Sequence, residues 1–211
     1  MADPPLTVEL VGEGAAATLV GGKGANLDQL LTLDLDVPAT GVVTTAAYHR
    51  LVTHPELADL LETIRAGTVA SGDDVDAAFL AVDLDTATTF AVLALARAVA
   101  GPDSHLAVRS SATVEDLAHS SFAGQYRTRL HVDPRDDGAV LDAVRLVFAS
   151  LWHPAPCAYR RAMGVAADTA AMAVVIMRMI PARRAGVVFT TDPGGRPDAA
   201  RIEAVDGIGE T

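Results

Sequence analysis

Short β-branched runs and helix-period segments follow one another along this chain without regular alternation, and that order restricts the fold more than any other feature. Residues 6–11, 42–44, 106–108, 126–132, 172–180, 186–191 and 201–205 read as strands. Between them lie helical patterns: Leu27, Leu30 and Leu31 over 25–33; Tyr48, Leu51 and Val52 behind a Thr45 cap; Leu57, Leu60, Leu61 and Ile64 behind Pro55. A surface helix over 73–81, a helix over 86–100 stopped by Gly101-Pro102, a long helix over 139–152 and one carrying Tyr159 and Met163 complete the set. A strict β-α-β rhythm would give a parallel, doubly wound sheet. The irregular order instead predicts an α+β or mixed-sheet domain. Half of the 211 residues are hydrophobic, enough for a sizeable core. No apolar run reaches the ~18 residues of a membrane span; the longest, residues 170–180, stops at Pro181.

Charge narrows the possible ligands. The chain carries 27 Asp and Glu against 16 Lys and Arg, a net charge of −11. Such a surface repels nucleic-acid backbones, so any bound phosphate must be held by a few local cations. The only Lys is Lys23; every other basic residue is Arg. A lone Lys in so Arg-rich a chain marks a position that wants an ammonium group, the competing explanation being chance survival at the surface. The single cysteine, Cys157, excludes an internal disulfide and a multi-cysteine metal site, and the six His show no metal-ligand spacing. The first residues lack the basic region and apolar segment of a signal peptide, so the expected location is cytoplasmic.

Three segments could carry chemistry. Gly21-Gly22-Lys23-Gly24-Ala25-Asn26 puts a Lys among glycines just before a helix, where backbone and ammonium can meet a phosphate oxygen. It is not a Walker A loop, because Ala17 and Gly24 stand where that motif needs Gly and Ser or Thr. The alternative is a flexible strand-to-helix turn. Gly12-Glu13-Gly14-Ala15-Ala16-Ala17 matches a G-x-G-x-x-A dinucleotide fingerprint, but Gly21-Gly22 interrupts the helix it should open and Glu13 would face the pyrophosphate, so an ordinary glycine-rich connection competes. Arg109-Ser110-Ser111-Ala112-Thr113 leaves a strand with a guanidinium and hydroxyls suited to a phosphate, or with Arg109 paired to Glu115 or Asp116. The small polar segment 120–125 reads as a flap over a ligand, or as a loop with Phe122 in the core. Cys157, Phe148 and Trp152 read as core.

Taken in order, these segments form a longer pattern. Gly21 to Leu27, Val37-Pro38, Val43 to Tyr48, Val108 to Leu117, Ser121-Phe122-Ala123-Gly124-Gln125, Ala185 to Pro193, Ile202-Glu203-Ala204 and Gly207 to Glu210 together resemble the N-terminal nucleotide-binding domain of the phosphoenolpyruvate synthase, pyruvate phosphate dikinase and rifampin phosphotransferase family. The resemblance covers essentially the whole chain. It implies an ATP-grasp-like domain, incomplete at its C-terminus, that holds MgATP between a first subdomain of about residues 1–170 and the start of a second at 171–211. By the same resemblance, ATP phosphorylates a histidine on a separate domain, and the phosphoryl group then passes to pyruvate or an antibiotic-like acceptor. Lys23 and Arg109 would contact ATP phosphates, and Gly124 with Gln125 would lie in a phosphate-covering loop. Met177, Arg178, Met179 and Ile180 would line the adenine through their backbone, with Thr190 and Glu210 near the phosphates and ribose.

Three departures from the family stand out. Met177 replaces a common Gln, and Ala39-Thr40-Gly41 replaces Pro-Gly-Phe. The family's acidic Mg²⁺ ligands and its swivelling histidine are not matched, since His119 lacks the Thr-Ser-His context. The expectation is therefore an ATP-binding part of a dikinase-type phosphotransferase, inactive alone and dependent on phosphohistidine and acceptor domains elsewhere. Two other classes stay open: a non-catalytic nucleotide-binding or interaction module, and a Rossmann-type dinucleotide protein.

Overall fold

The computed structural model describes residues 3–33, 35–68, 70–114, 116–117, 120–121, 126–166, 169–190 and 200–209. The chain divides into two units, Met1–Met179 and Ile180–Thr211.

The first unit runs β1 (Thr7–Glu9), α1 (Ala17–Thr32), β2 (Thr40–Val43), α2 (Thr45–Val52), α3 (Pro55–Arg65), α4 (Gly72–Ala81) and α5 (Thr86–Val99). It continues with β3 (Leu106–Ala112), a small hairpin of β4 (Asp116–Leu117) and β5 (Ser120–Ser121), and β6 (Thr128–Val132). Then come α6 (Asp137–Ala149) with a 3-10 turn at Ser150–Trp152, α7 (Pro154–Ala162) and β7 (Met172–Arg178). The sheet order is β1-β2-β7-β3-β6, and each of these pairings is antiparallel. The α+β expectation holds, with an antiparallel sheet rather than a mixed one.

β7 decides the unit boundary. Its residues pair with β2 on one side and with β3 from Leu106↔Arg178 to Ala112↔Met172 on the other. A strand hydrogen-bonded on both edges belongs to the sheet it completes, so the division falls after Met179 and not near residue 170. Alternation along β7 separates two cores. Ala173 and Val175 join Leu10, Val20 and Val42 beneath α1, whereas Met172, Val174 and Ile176 join the larger core built from the other helices.

Several helix starts explain themselves. Pro55 sits in the first turn of α3, where its missing N–H costs nothing, and His54 accepts from the Glu56 N–H. Asp85 accepts from the N–H groups of both Ala87 and Thr88 at the head of α5. The cap of α2 is Thr44, not Thr45: its backbone is extended and its Oγ1 accepts from the Ala46 N–H, while the Thr45 hydroxyl donates to the Thr18 carbonyl. The helix expected at the surface over 73–81 buries Val75 and Phe79 completely. Among the described residues, no single helix is long and apolar enough to cross a membrane.

The second unit holds an antiparallel hairpin of β8 (Arg184–Phe189) and β9 (Arg201–Asp206), in register from Arg184↔Asp206 to Phe189↔Arg201. Val187, Val188, Ile202 and Val205 are exposed on it.

Loss of the α5 cap gives a direct check on this account. Asp85→Ala should lower stability by about 0.5–2 kcal/mol, seen in urea titration as an earlier midpoint with an unchanged slope.

Candidate functional site

The glycine-rich stretch is not a loop before a helix. Residues 17–32 are helical on both sides of a break at Gly21, whose φ of 72° and ψ of 174° lie in a region reserved for glycine. A Cβ there would meet the Ser111 carbonyl oxygen at 2.0 Å. The reading of Gly21-Gly22 as a helix breaker places the helix start at Ala25; the structure instead bends one helix and starts it at Ala17.

An unbroken helix would bond the Gly24 N–H to the Val20 carbonyl. Here the Ser111 hydroxyl stands between them. It accepts from Gly24 N–H at 3.0 Å and donates to the Val20 oxygen at 2.7 Å. A side-chain hydroxyl inserted into the helical ladder is a sufficient cause of the bend. It also fixes the backbone beside Lys23 to β3.

The β3–β7 register orients Arg109. Arg109 pairs with Val175 and Ser111 with Ala173, both members of the small core beneath α1. Residues two apart on a strand share a face, so Arg109 and Ser111 stand on the α1 side of the sheet, and Met177 opposite Ala107 stands there too. Lys23 and Arg109 are both half-buried. The motif's hydroxyls serve the fold: Ser111 holds α1, buried Ser110 faces the other core, and Thr113 exchanges hydrogen bonds with the backbone of Ala171. They are not the phosphate donors that their sequence position suggests.

The segment 177–180 is held by its own backbone. Arg178 N–H bonds the Ala39 carbonyl and Met179 N–H the His105 carbonyl, each at about 3 Å. The Arg178 side chain lies against Gly101, and the Met179 sulfur accepts from the His131 N–H. Ile180 and Thr190 belong to the second unit, and both are exposed. Gly124, Gln125 and Glu210 lie outside the described residues, as does Phe122. Among the described residues, no three His, Cys, Asp or Glu gather as a metal site.

Sequence reasoning missed Asp28. It is 2% exposed, and its carboxylate accepts from the N–H groups of Gly12, Gly14 and Ala15, each at 2.8 Å. Burial pushes its pKa up, but these bonds and one from Val11 outweigh that and hold it below the usual carboxylate range. The fingerprint glycines, both at positive φ, thus form an anion nest whose anion is the chain's own. That removes the dinucleotide reading, because the donors a pyrophosphate would need are spent. The available signal was a lone acid on the apolar side of a helix, beside Leu27 and Leu31.

A sequence profile described as the pyruvate phosphate dikinase AMP/ATP-binding domain matches residues 17–211. The chain is 36% identical over 206 residues to phosphoenolpyruvate synthase of Aeropyrum pernix, covering 91% of this chain and 25% of that protein. It is 38% identical over 211 residues to rifampicin phosphotransferase of a Streptomyces species, covering 94% and 24%. It is 37% identical over 210 residues to the prodigiosin synthesizing transferase PigC of Serratia marcescens, covering 99% and 22%. The chain spans about a quarter of the length of these relatives.

Two substitutions test this construction. Gly21→Ala should cost about 3 kcal/mol or more, far above the ~1 kcal/mol scale of an ordinary helical glycine, because backbone strain and a clash add. Asp28→Asn should cost about 1–3 kcal/mol at neutral pH. A depressed folded pKa means that Asp28 contributes stability above the unfolded value, about 4, and loses it as pH falls through the folded value. Urea midpoints measured from neutral pH downward should therefore fall less steeply in Asp28→Asn than in the unmodified chain.

Proposed function

Because the chain belongs to the pyruvate phosphate dikinase AMP/ATP-binding domain family, we propose that it supplies the ATP-holding part of a dikinase-type phosphotransferase. In this reading a phosphoryl group passes from ATP to a histidine on another domain, and from there to a small acceptor such as pyruvate or an antibiotic-like compound. The observation that supports it is the Ser111 junction, which ties the helix carrying the only Lys to the strand carrying Arg109.

The donor set suits a polyphosphate. Arg109 offers a planar fork for two phosphate oxygens, and Lys23 a compact point charge. Both rise from backbone fixed by packing, so little ordering entropy is lost when they engage. Bound ATP supplies the transferable phosphoryl group. The chain's part is to hold its phosphates and to set the 177–180 segment beside the adenine, the Arg178 and Met179 N–H groups staying bonded to Ala39 and His105. Mg²⁺ bound with the ATP would neutralise the phosphates. Gly124, Gln125, Thr190 and Glu210 complete the proposed contacts, and a cytoplasmic location belongs to the same reading.

The test is a calorimetric titration of the chain with MgATP, using NAD as the control. Lys23→Ala and Arg109→Ala should each weaken MgATP about ten- to hundredfold, the equivalent of one charge-assisted contact. Far-UV circular dichroism and Tm should stay unchanged. Equal affinity in both variants, or NAD binding in place of ATP, would end the reading; unfolding of Arg109→Ala would make that residue structural.

A further inference from the structure

A second concentration of positive charge lies away from the α1–β3 seam. α3, the 3-10 turn and α7 enclose a cavity of about 160 Å³ whose lining includes Arg65, Arg160, Arg161, Trp152 and Cys157, with no acidic residue. None of its lining residues belongs to α1 or β3. One ordered water needs roughly 10–15 Å³ measured this way, so the space admits a group of several heavy atoms.

Arg160 is the unusual member. It is 2% exposed, yet its Nε and Nη1 have no hydrogen-bond partner. Its Nη2 donates to the Cys157 sulfur at 3.3 Å. That sulfur is not a countercharge, because burial pushes the thiol pKa up and keeps it neutral. The neighbouring arginines are positioned by other contacts. Arg161 donates to the Ile64 carbonyl at 2.7 Å, and the Arg65 guanidinium lies 5.1 Å from the Trp152 ring centroid. Two cations in the last turn of α7 favour its dipole, but an exposed Arg would do that equally well. Burying a guanidinium with donors unfilled costs several kcal/mol unless something pairs with it.

We propose that this cavity is a binding site for a small oxyanion, a phosphate or carboxylate group on a small molecule, with Arg160 as its central ligand. The anion would lie beside the Arg160, Arg65 and Arg161 guanidinium groups, and Arg160 would turn its unfilled Nε and Nη1 donors, which are closed off from solvent here, toward it.

Trp152 is the only tryptophan in the chain and lines the cavity, so its emission reports on the site. The chain is titrated with inorganic phosphate and, separately, with acetate, using chloride at matched ionic strength as the control. Phosphate or acetate should shift Trp152 emission saturably and raise Tm, and chloride should do neither; the stronger of the two identifies the class. Arg160→Lys should weaken the Trp152 response about tenfold or more, and Arg97→Ala, which removes an exposed guanidinium paired with Asp137, should leave it unchanged. In the unmodified chain the Arg160 Nε–H resonance should move with the same midpoint, which reads the site even if an Arg160 variant fails to fold. No saturable response up to tens of millimolar, an undiminished response in Arg160→Lys, or its loss in Arg97→Ala would overturn the proposal.

Discussion

One hydroxyl holds the centre of this domain together. A helix that bends at Gly21 loses the bond between Gly24 N–H and Val20 carbonyl, and both groups are too deep for water to replace it cheaply. Ser111 meets both demands at once. The bend therefore depends on β3 lying where it does, and β3 can lie so close only because residue 21 has no side chain. Sequence positions about ninety apart thus form one packing unit.

The two halves of the N-terminal glycine-rich region have different work. Gly12 and Gly14 converge their N–H groups on Asp28, an internal anion that ties the β1–α1 connection to the helix. Gly21 and Gly24 allow close packing on β3 and β2. Both would look alike to a pattern that counts glycines. The partner distinguishes them, and in the first case the partner is a carboxylate sixteen residues from Gly12.

Much of the fold was legible because local chemistry fixes it. Pro55 at the start of α3, Gly101-Pro102 after α5 and the apolar run of β7 all read correctly from neighbours in sequence. The cap at Thr44 and the helix start at Ala17 did not, because two adjacent threonines and two adjacent glycines offer the same local signal and only tertiary contact chooses between them. β7 was read as a strand, but its place between β2 and β3 was not legible, since strand pairing is set by distant partners. For the candidate site, Lys23 and Arg109 were singled out from motif alone, while the sharing of one sheet face by Arg109 and Ser111 required the register. Asp28 and Arg160 escaped because burial of a charge leaves no pattern at its own position. Arg160 lies one helical turn after Cys157, and that spacing was the available trace.

Acidic composition gives these local arrangements their weight. At physiological salt, charges more than about 8 Å apart hardly interact through water, so a net charge of −11 discourages polyanions at long range and does little at contact distance. Binding then depends on cations whose position is fixed and whose solvation is already partly lost, since such groups lose the least on meeting an anion. The α1–β3 seam meets that condition through helix and strand backbone. The Arg160 cavity meets it through burial. A chain with few cations can still recognise anions when each cation is committed to a rigid element, and the same commitment explains why scattered surface arginines, such as Arg97 paired with Asp137, contribute little to recognition.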